Sequence, residues 1–310
     1  MSNWFLLALI APILWSIVNH IDKYMLSKYL KDRGVGALLI FSALSSVLIL
    51  PIIAFFYRSE IFNISGMDFL ILIFVGFLSS GAFYFYLAGM EMEEASIVVP
   101  LFQLIPVFGY FLSYLILGES LNTYQILAAL LVMSGIMILS LEIDEENKLK
   151  FKTKVLILIA TSSFLFALHD TLFKKVAIVE NFWVSVFWQY ASLTIFGLLI
   201  LVGIKKFRKE FFGMFFNNMG KKIFFVNIMS EILYILGNLA NNFATLLAPV
   251  AVVLVVSSYQ PLFVFIGGVL LTIFLPKIAT ERISRKHLFH KLISIIIIII
   301  GSYLLYTTSN

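Results

Sequence analysis

The sequence predicts an all-α integral membrane protein with ten transmembrane helices, arranged as two inverted five-helix repeats. The chain of 310 residues is 61% hydrophobic and only 13% charged, whereas a soluble domain is about 45–50% apolar and about 25% charged. Its apolar residues form long stretches, five on each side of a polar break near the middle of the chain. A soluble core cannot hide that much apolar surface, so the lipid bilayer is the expected environment.

Each apolar stretch is long enough to cross a bilayer as a helix. A hydrocarbon core of about 30 Å requires roughly 20 apolar residues at about 1.5 Å of rise per residue. Transmembrane strands would alternate in polarity, and runs such as Ile295 to Ile300 do not. No basic residue precedes the first stretch, so we do not expect a cleaved signal peptide. The predicted spans one to ten cover residues 3–21, 35–57, 67–89, 95–117, 122–141, 154–173, 182–204, 223–243, 248–275 and 289–307.

The two halves of the chain resemble each other. We divide the chain into a first repeat over residues 1–141, a polar linker over 142–153 and a second repeat over 154–310. Residues 94–106 and 249–261 share a small-residue start, an aliphatic run, a polar residue or two and a final proline. Since five is odd, two five-span units have opposite orientations, and inverted repeats are typical of transporters.

Spans one and six match as well, because an aromatic residue stands eight positions before a lysine in each. The pairs are Trp15 with Lys23 and Phe166 with Lys174. Further shared features of the first half are Ala95-Ser96 with Pro106, Gly118-Glu119 at the end of span four, and Gly135 to Leu139 in span five. Together these residues resemble the EamA-type branch of the drug/metabolite transporter superfamily. The second half keeps Pro261 but has Leu275-Pro276 where that family usually has Gly-Glu.

The resemblance implies a ten-helix transporter whose substrate site is lined by spans one, three, four, six, eight and nine. The distribution of basic residues predicts its orientation. All but Arg58, Lys174 and Lys175 of the 22 Lys and Arg fall in loops on one face. The positive-inside rule places that face in the cytoplasm and both termini outside, although members of the family usually have both inside. We expect a multi-pass protein of a prokaryotic inner membrane. Residues 205–216 mix basic residues with phenylalanines, which is typical of a helix on an anionic membrane surface.

Glu231 is the residue of span eight that points most directly to function. It lies near the middle of the bilayer with no basic residue close in sequence, and intramembrane acids usually face a cavity or a partner. We expect Glu231 to bind a coupling proton or attract a cationic group; the alternative is a protonated acid that only packs. Tyr234 and Asn238 share its helix face and are predicted to line a cavity, or else to hydrogen-bond a neighbouring helix. Asn241 and Asn242 are expected at the end of the helix.

Span six carries His169 and Asp170 in adjacent positions. Neighbouring residues on a helix point about 100° apart, so we expect their side chains not to face each other. His169 is predicted to contact substrate or relay a proton, and Asp170 to carry a coupling proton or attract a cation. The alternative is an interfacial pair between Asp170 and Lys174, four residues apart. Asn19 and His20, at the end of span one, are predicted to line the same cavity.

Pro106 and Pro261 are predicted to break spans four and nine at matched positions. Proline removes a backbone donor, and the polar groups freed in this way need protein or a water-lined cavity as their partner. Matched breaks indicate a site at the bilayer midplane, so the nearby Gln103 and Gln260 are predicted substrate contacts; kinks that only serve packing are the alternative. Further predicted contacts are Trp15, Tyr84 and Tyr259. In span seven, Trp188, Gln189 and Tyr190 could form a lateral gate or face lipid.

The sequence contains no Walker loop, no His-Glu-x-x-His motif, no nucleophile elbow and no cysteine. We therefore expect neither an enzyme, nor a cofactor or metal, nor a nucleic-acid partner. The leading hypothesis is a monomeric secondary transporter of a small organic metabolite, such as an amino acid, an amine or a drug-like solute. It would work by alternating access, with a proton as the candidate coupling ion. The alternatives are a flippase for a lipid or lipid carrier and, more distantly, a membrane sensor or partner protein.

Overall fold

The computed structural model describes residues 4–28, 35–92, 101–140, 153–215, 220–274 and 285–308. Apart from a 3-10 turn at Ser46–Leu48, the regular structure within these ranges is α-helical. The helices are α1 (Trp4–Lys28), α2 (Val35–Ser45), α3 (Leu50–Tyr57), α4 (Gly66–Met92), α5 (Leu104–Leu117), α6 (Thr123–Ser140), α7 (Thr153–Ala177), α8 (Phe182–Gly203), α9 (Lys205–Phe215), α10 (Gly220–Leu247), α11 (Val250–Ser257), α12 (Gln260–Phe274) and α13 (Arg285–Thr308).

The helices confirm the all-α membrane fold predicted from the sequence. Within the described residues, seven segments are long and apolar enough to cross a membrane, and three shorter apolar helices cover 104–117, 123–138 and 292–308. Together they correspond to the ten predicted spans. Span two consists of α2 and α3, and span nine of α11 and α12.

Helix packing follows the relation between the two halves. The first-half helix α1 packs along α10, and α4 packs in the same way along α7. If α1 corresponds to α7 and α4 to α10, these two contacts are equivalent. The last span of each half, α6 and α13, also pack together. Helices of the two halves therefore pack against each other, and helices from both halves surround the space between them.

Both ends of the described chain lie at one face, which we call the terminal face. The rings of Phe5 and Tyr306 are 5.6 Å apart, and Gln125 Nε2 donates to the carbonyl oxygen of Thr308 at 3.3 Å. We call the opposite face the basic face; α1 and α6 end there, and α7 and α13 begin there. The basic residues counted from the sequence cluster in the connections on that side.

The predicted interfacial segment forms helix α9 at the basic face. Its Phe207 and Phe211 pack into small apolar clusters with α2, including Leu39 and Phe41. Its Lys206 side chain is 80% exposed and lies 3.9 Å from Glu210. This helix thus has an apolar side against the protein and a basic side directed away from it, as expected of a helix at a membrane surface.

Candidate functional site

A polar cavity lies between α2, α4, α8 and α10. The space that the centre of a water molecule can reach is about 20 Å³, which is enough for one or two waters. This conformation therefore accommodates a water-sized group. Its polar lining residues are Ser42, Ser46, Ser79, Ser80, Tyr190, Glu231 and Tyr234, and its apolar lining residues are Leu39, Ala43, Phe83, Leu193 and Ile235.

Glu231 is the charged residue of this lining. It lies well inside α10, and Ser42 Oγ from α2 donates to its Oε2 at 3.0 Å. No Lys, Arg or His is among the lining residues. Tyr234, three residues further along α10, lines the same cavity. The carboxyl group therefore meets hydroxyl groups and aromatic rings, an environment suited to a cation or a proton.

Several donors around the cavity are buried without a hydrogen-bond partner among the described residues. They are the hydroxyls of Ser80 and Tyr190 and the indole Nε1 of Trp15. Trp15 lies against Tyr234, with ring centroids 6.3 Å apart. A buried polar group without a partner costs about 1–3 kcal/mol, and such groups indicate a site completed by water or a ligand.

The cavity relates to the internal repeat in a simple way. The offset of 151 residues that takes Trp15 to Phe166 and Lys23 to Lys174 also relates lining residues to one another. Spans two and three of the first half correspond to spans seven and eight of the second half. The cavity is therefore lined by equivalent helices from both halves and lies at the interface between them. The related lining pairs are Leu39 with Tyr190, Ser42 with Leu193, Ser80 with Glu231, and Phe83 with Tyr234.

The spans that line this cavity differ from the set that the family resemblance implies for the substrate site. Spans three and eight line the cavity as expected, but spans two and seven stand in place of spans one, four, six and nine. The first part of span nine packs in the apolar core and does not line the cavity. Every residue from Val250 to Val256 is buried, and Gly109 of α5 lies against Leu254. Trp15 of span one reaches the edge of the site only through Tyr234.

A second group of polar side chains lies nearer the terminal face. Asn242 Nδ2 donates to Gln189 Oε1 at 3.0 Å, and Gln189 Nε2 lies 2.9 Å from His169 Nε2. His169 Nδ1 lies 3.1 Å from Asp170 Oδ1. Because an amide nitrogen only donates, Gln189 Nε2 is the donor to His169 Nε2, and His169 Nδ1 then donates to Asp170. The expectation that His169 and Asp170 do not face each other is wrong, because both side chains bend toward one another.

The same network continues into α10 and α11. Asn241 Nδ2 donates to Asp170 Oδ1 at 3.5 Å, and Ser257 Oγ donates to Asn241 Oδ1 at 2.7 Å. Asn241 and Asn242 are buried, not located at the helix end, since α10 continues to Leu247. His169 and Asp170 thus join four helices by hydrogen bonds and lie outside the cavity lining.

An ion pair joins the two halves at the terminal face. Lys174 Nζ contacts Glu119 Oε1 and donates to the Ala248 carbonyl oxygen at 2.8 Å. The backbone N–H of Val250 donates to Glu119 Oε2 at 2.8 Å. Glu119 therefore caps α11, whose own N-cap, Pro249, has no capping side chain. Lys174 pairs with Glu119 and not with Asp170, and we call this group the terminal latch.

Other predicted contacts lie away from the cavity. His20 Nε2 is 3.0 Å from the Val264 carbonyl oxygen, and the Tyr259 hydroxyl hydrogen-bonds Ser302. Tyr84 is 39% exposed on α4, and Asn19 is half-buried on α1. Asn238 lies outside the lining as well, but neighbours the Tyr190 hydroxyl.

Both predicted helix breaks fall just before their prolines. In span nine, α11 ends at Ser257 and α12 begins at Gln260, so Pro261 is its second residue. In span four, a turn at 102–103 precedes α5, and Pro106 is the third residue of that helix. Gln103 is buried, and neither atom of its amide finds a partner among the described residues. Gln260 is half-buried.

Comparison with known proteins identifies the family. Residues 2–141 match the model of the EamA-like transporter family. The first half of the chain therefore belongs to the EamA-like transporter family, within the drug/metabolite transporter superfamily. This confirms the resemblance drawn from the sequence and makes the chain a multi-pass membrane protein. A crystal structure described only as that of a protein aligns over 100% of this chain and 98% of its own, with a TM-score of 0.68 at 14% identity. At that identity it shows the fold alone. Comparison with curated proteins gave no match.

Sequence reasoning missed part of the cavity. Ser42, Ser46, Ser79 and Ser80 carry no sequence signal, because serine is common in membrane helices and packs at many interfaces. Tyr190 is considered in the sequence analysis as part of a lateral gate or as a lipid-facing residue, but its side chain is buried and lines the cavity.

Proposed function

We propose that this EamA-type protein is a secondary transporter of a small organic solute that carries an amine. The observation that supports it most directly is Glu231 in a cavity without basic residues, at the meeting of the two inverted halves. A single carboxylate among hydroxyls favours a cationic or zwitterionic solute and disfavours a polyanion. Amines and amino acids fit this chemistry.

Unequal packing of equivalent helices supports alternating access as the mechanism. In the terminal half, α4 packs closely along α8, where a Cβ on Gly76 would lie 2.5 Å from the Ser192 side chain. The equivalent contact in the basic half, between α10 and α2, is slight. Exchange of these two packings would close the basic half and open the terminal half, as inverted repeats permit.

The terminal latch adds to the closure of the same half. This conformation is therefore interpreted as closed toward the terminal face, with the cavity nearer to access from the basic face. If the basic face is cytoplasmic, as the positive-inside rule predicts, the solute enters the cavity from the cytoplasm and binds at Glu231. A proton that competes with the solute for the same carboxyl group would couple proton movement to solute movement.

Uptake by the purified protein in liposomes tests the proposal. Radiolabelled amines and amino acids would be offered with and without a pH gradient, using the natural chain and Glu231→Gln. We expect gradient-stimulated uptake of an amine-bearing solute that Glu231→Gln abolishes. Glu180→Gln is the matched acid-to-amide control, because Glu180 lies at the terminal face, where it accepts the Ser65 N–H at 3.2 Å.

Two results would contradict parts of the proposal. Uptake that ignores the gradient in both proteins would reject proton coupling through Glu231. Absence of uptake for every amine and amino acid, together with scrambling of labelled phospholipid in the same vesicles, would favour the flippase alternative.

A further inference from the structure

We infer that the cavity binds a primary ammonium head group, with Glu231, Tyr190 and Ser80 as its three hydrogen-bond acceptors. This inference rests on the proposed function and narrows its substrate to primary amines. It depends on three features of the cavity: two buried hydroxyls that lack partners among the described residues, one carboxylate, and the small volume of the cavity.

Tyr190 provides the first observation. Its side chain is 1% exposed, and its hydroxyl has no hydrogen-bond partner in the described part of the chain. Asn238, Tyr234 and Glu231 are its polar neighbours; the Asn238 side chain lies close to the hydroxyl, but no hydrogen bond of standard geometry joins them. Because Tyr190 also lines the cavity, a group bound in the cavity can reach its hydroxyl.

Ser80 provides the second observation, from the other half of the protein. It is 3% exposed, its hydroxyl also lacks a partner among the described residues, and it lines the same cavity. Serine hydroxyls in membrane helices commonly bond the carbonyl oxygen three or four residues earlier, as Ser16 and Ser113 do here. The Ser80 hydroxyl does not, so it is available to a ligand.

The number of acceptors matches one kind of cation. A primary ammonium group has three N–H donors, and the carboxylate of Glu231 with the two hydroxyl oxygens supplies three acceptors. A quaternary ammonium group has no N–H, so it would leave both hydroxyls unsatisfied. A ligand carboxylate would meet Glu231 without any basic residue among the lining residues.

The size of the cavity points the same way. About 20 Å³ is open to the centre of a water molecule, and an –NH₃⁺ group is close to water in size. A trimethylammonium group is several times larger and would have to displace lining atoms. The cavity as it stands therefore fits the head of a primary amine, with the remainder of the solute extending from it.

Binding of two matched cations tests this inference. Butylamine and butyltrimethylammonium carry the same charge and tail at pH 7, and their dissociation constants for the purified full chain would be measured by thermal-shift titration. Butylamine should bind at least tenfold more tightly. Tyr190→Phe and Ser80→Ala should each weaken butylamine about tenfold, the effect of one hydrogen bond to a charged group, and leave butyltrimethylammonium unchanged.

Tyr84→Phe and Ser134→Ala are the matched controls. Tyr84 is exposed on α4 outside the lining, and the Ser134 hydroxyl bonds its own helix at Leu131. Both should bind butylamine as the natural chain does. Melting temperatures without ligand identify any variant that has lost its fold.

The inference is overturned if butyltrimethylammonium binds as tightly as butylamine, if neither binds, or if folded Tyr190→Phe and Ser80→Ala retain full affinity. These failures are distinguishable from failure of the proposed function. Gradient-driven uptake of another solute in the liposome assay would leave the transporter proposal intact while the ammonium head group is rejected.

Discussion

The terminal latch should control opening of the cavity toward the terminal face, and Glu119→Gln is the change that tests it. Glutamine removes the charge that pairs with Lys174 but keeps an oxygen that can accept the Val250 N–H. The cap of α11 is therefore retained while the ion pair is lost. Since the latch joins the two halves, its loss should favour the conformation in which they separate.

The magnitude follows from burial of the pair. The side chains of Lys174 and Glu119 are only 10% and 16% exposed. Removing one partner of a buried ion pair costs about 3–5 kcal/mol, and the remaining exposure of Glu119 favours the lower end of that range. A loss of about 3 kcal/mol from the closed state raises the open population about 100-fold, because each 1.4 kcal/mol is roughly a factor of ten.

Cysteine labelling measures that population directly. The chain contains no cysteine, so a single introduced thiol reports without background. Thr171→Cys is a suitable reporter because Thr171 is fully buried, one turn before Lys174, and its hydroxyl bonds only the Ala167 carbonyl within its own helix. Its rate of reaction with a polar thiol reagent should rise about 100-fold when Glu119→Gln is added.

Two controls separate opening from general loosening. Ile136→Cys reports from the contact between α6 and α13, where Ile136 is fully buried in one apolar cluster with Ile298, away from the α4–α8 contact. Glu180→Gln changes an acid that accepts the Ser65 N–H in an exposed hydrogen bond, and it should leave both rates unchanged because an amide oxygen can still accept that bond. Equal acceleration at Thr171→Cys and Ile136→Cys would refute a gating role and leave only a contribution to overall stability.

Three further predictions concern packing, the buried network and orientation. Gly237→Ala should lower the free energy of unfolding by about 1–2 kcal/mol, because its methyl group would lie 2.6 Å from Trp15 Nε1; Gly66→Ala, with nothing within 4 Å, should not, and equal stabilities in a denaturant titration would contradict the close contact. Asn242→Ala should cost about 1–3 kcal/mol in the same assay, because it leaves the buried Gln189 Oε1 without its donor; an unchanged midpoint would mean that Gln189 finds another partner. The C-terminus is expected on the outer side of the membrane, so a reporter that fluoresces only in the cytoplasm should stay dark when it is fused after residue 310. A bright reporter would place the terminal face in the cytoplasm.

The sequence by itself determined the architecture of this protein. Hydropathy and helix length are local properties, so ten apolar stretches specify ten spans wherever they come to pack. The helical period is local too, which is why Glu231 and Tyr234 were assigned to one face of α10 before any contact was known, and both line the cavity. Matched prolines likewise mark the turns at 102–103 and 258–259, which precede α5 and α12.

Only the tertiary structure decided which polar residues meet. Lys174 could have paired with Asp170 on its own helix, but it pairs with Glu119, 55 positions away, because α11 brings an N-terminus without its own capping side chain, which a carboxylate can cap. Asp170 instead joins His169 and Asn241 in a buried network. A membrane helix satisfies its polar side chains with whatever partners the neighbouring helices provide, and that choice depends on helix packing that no local pattern encodes.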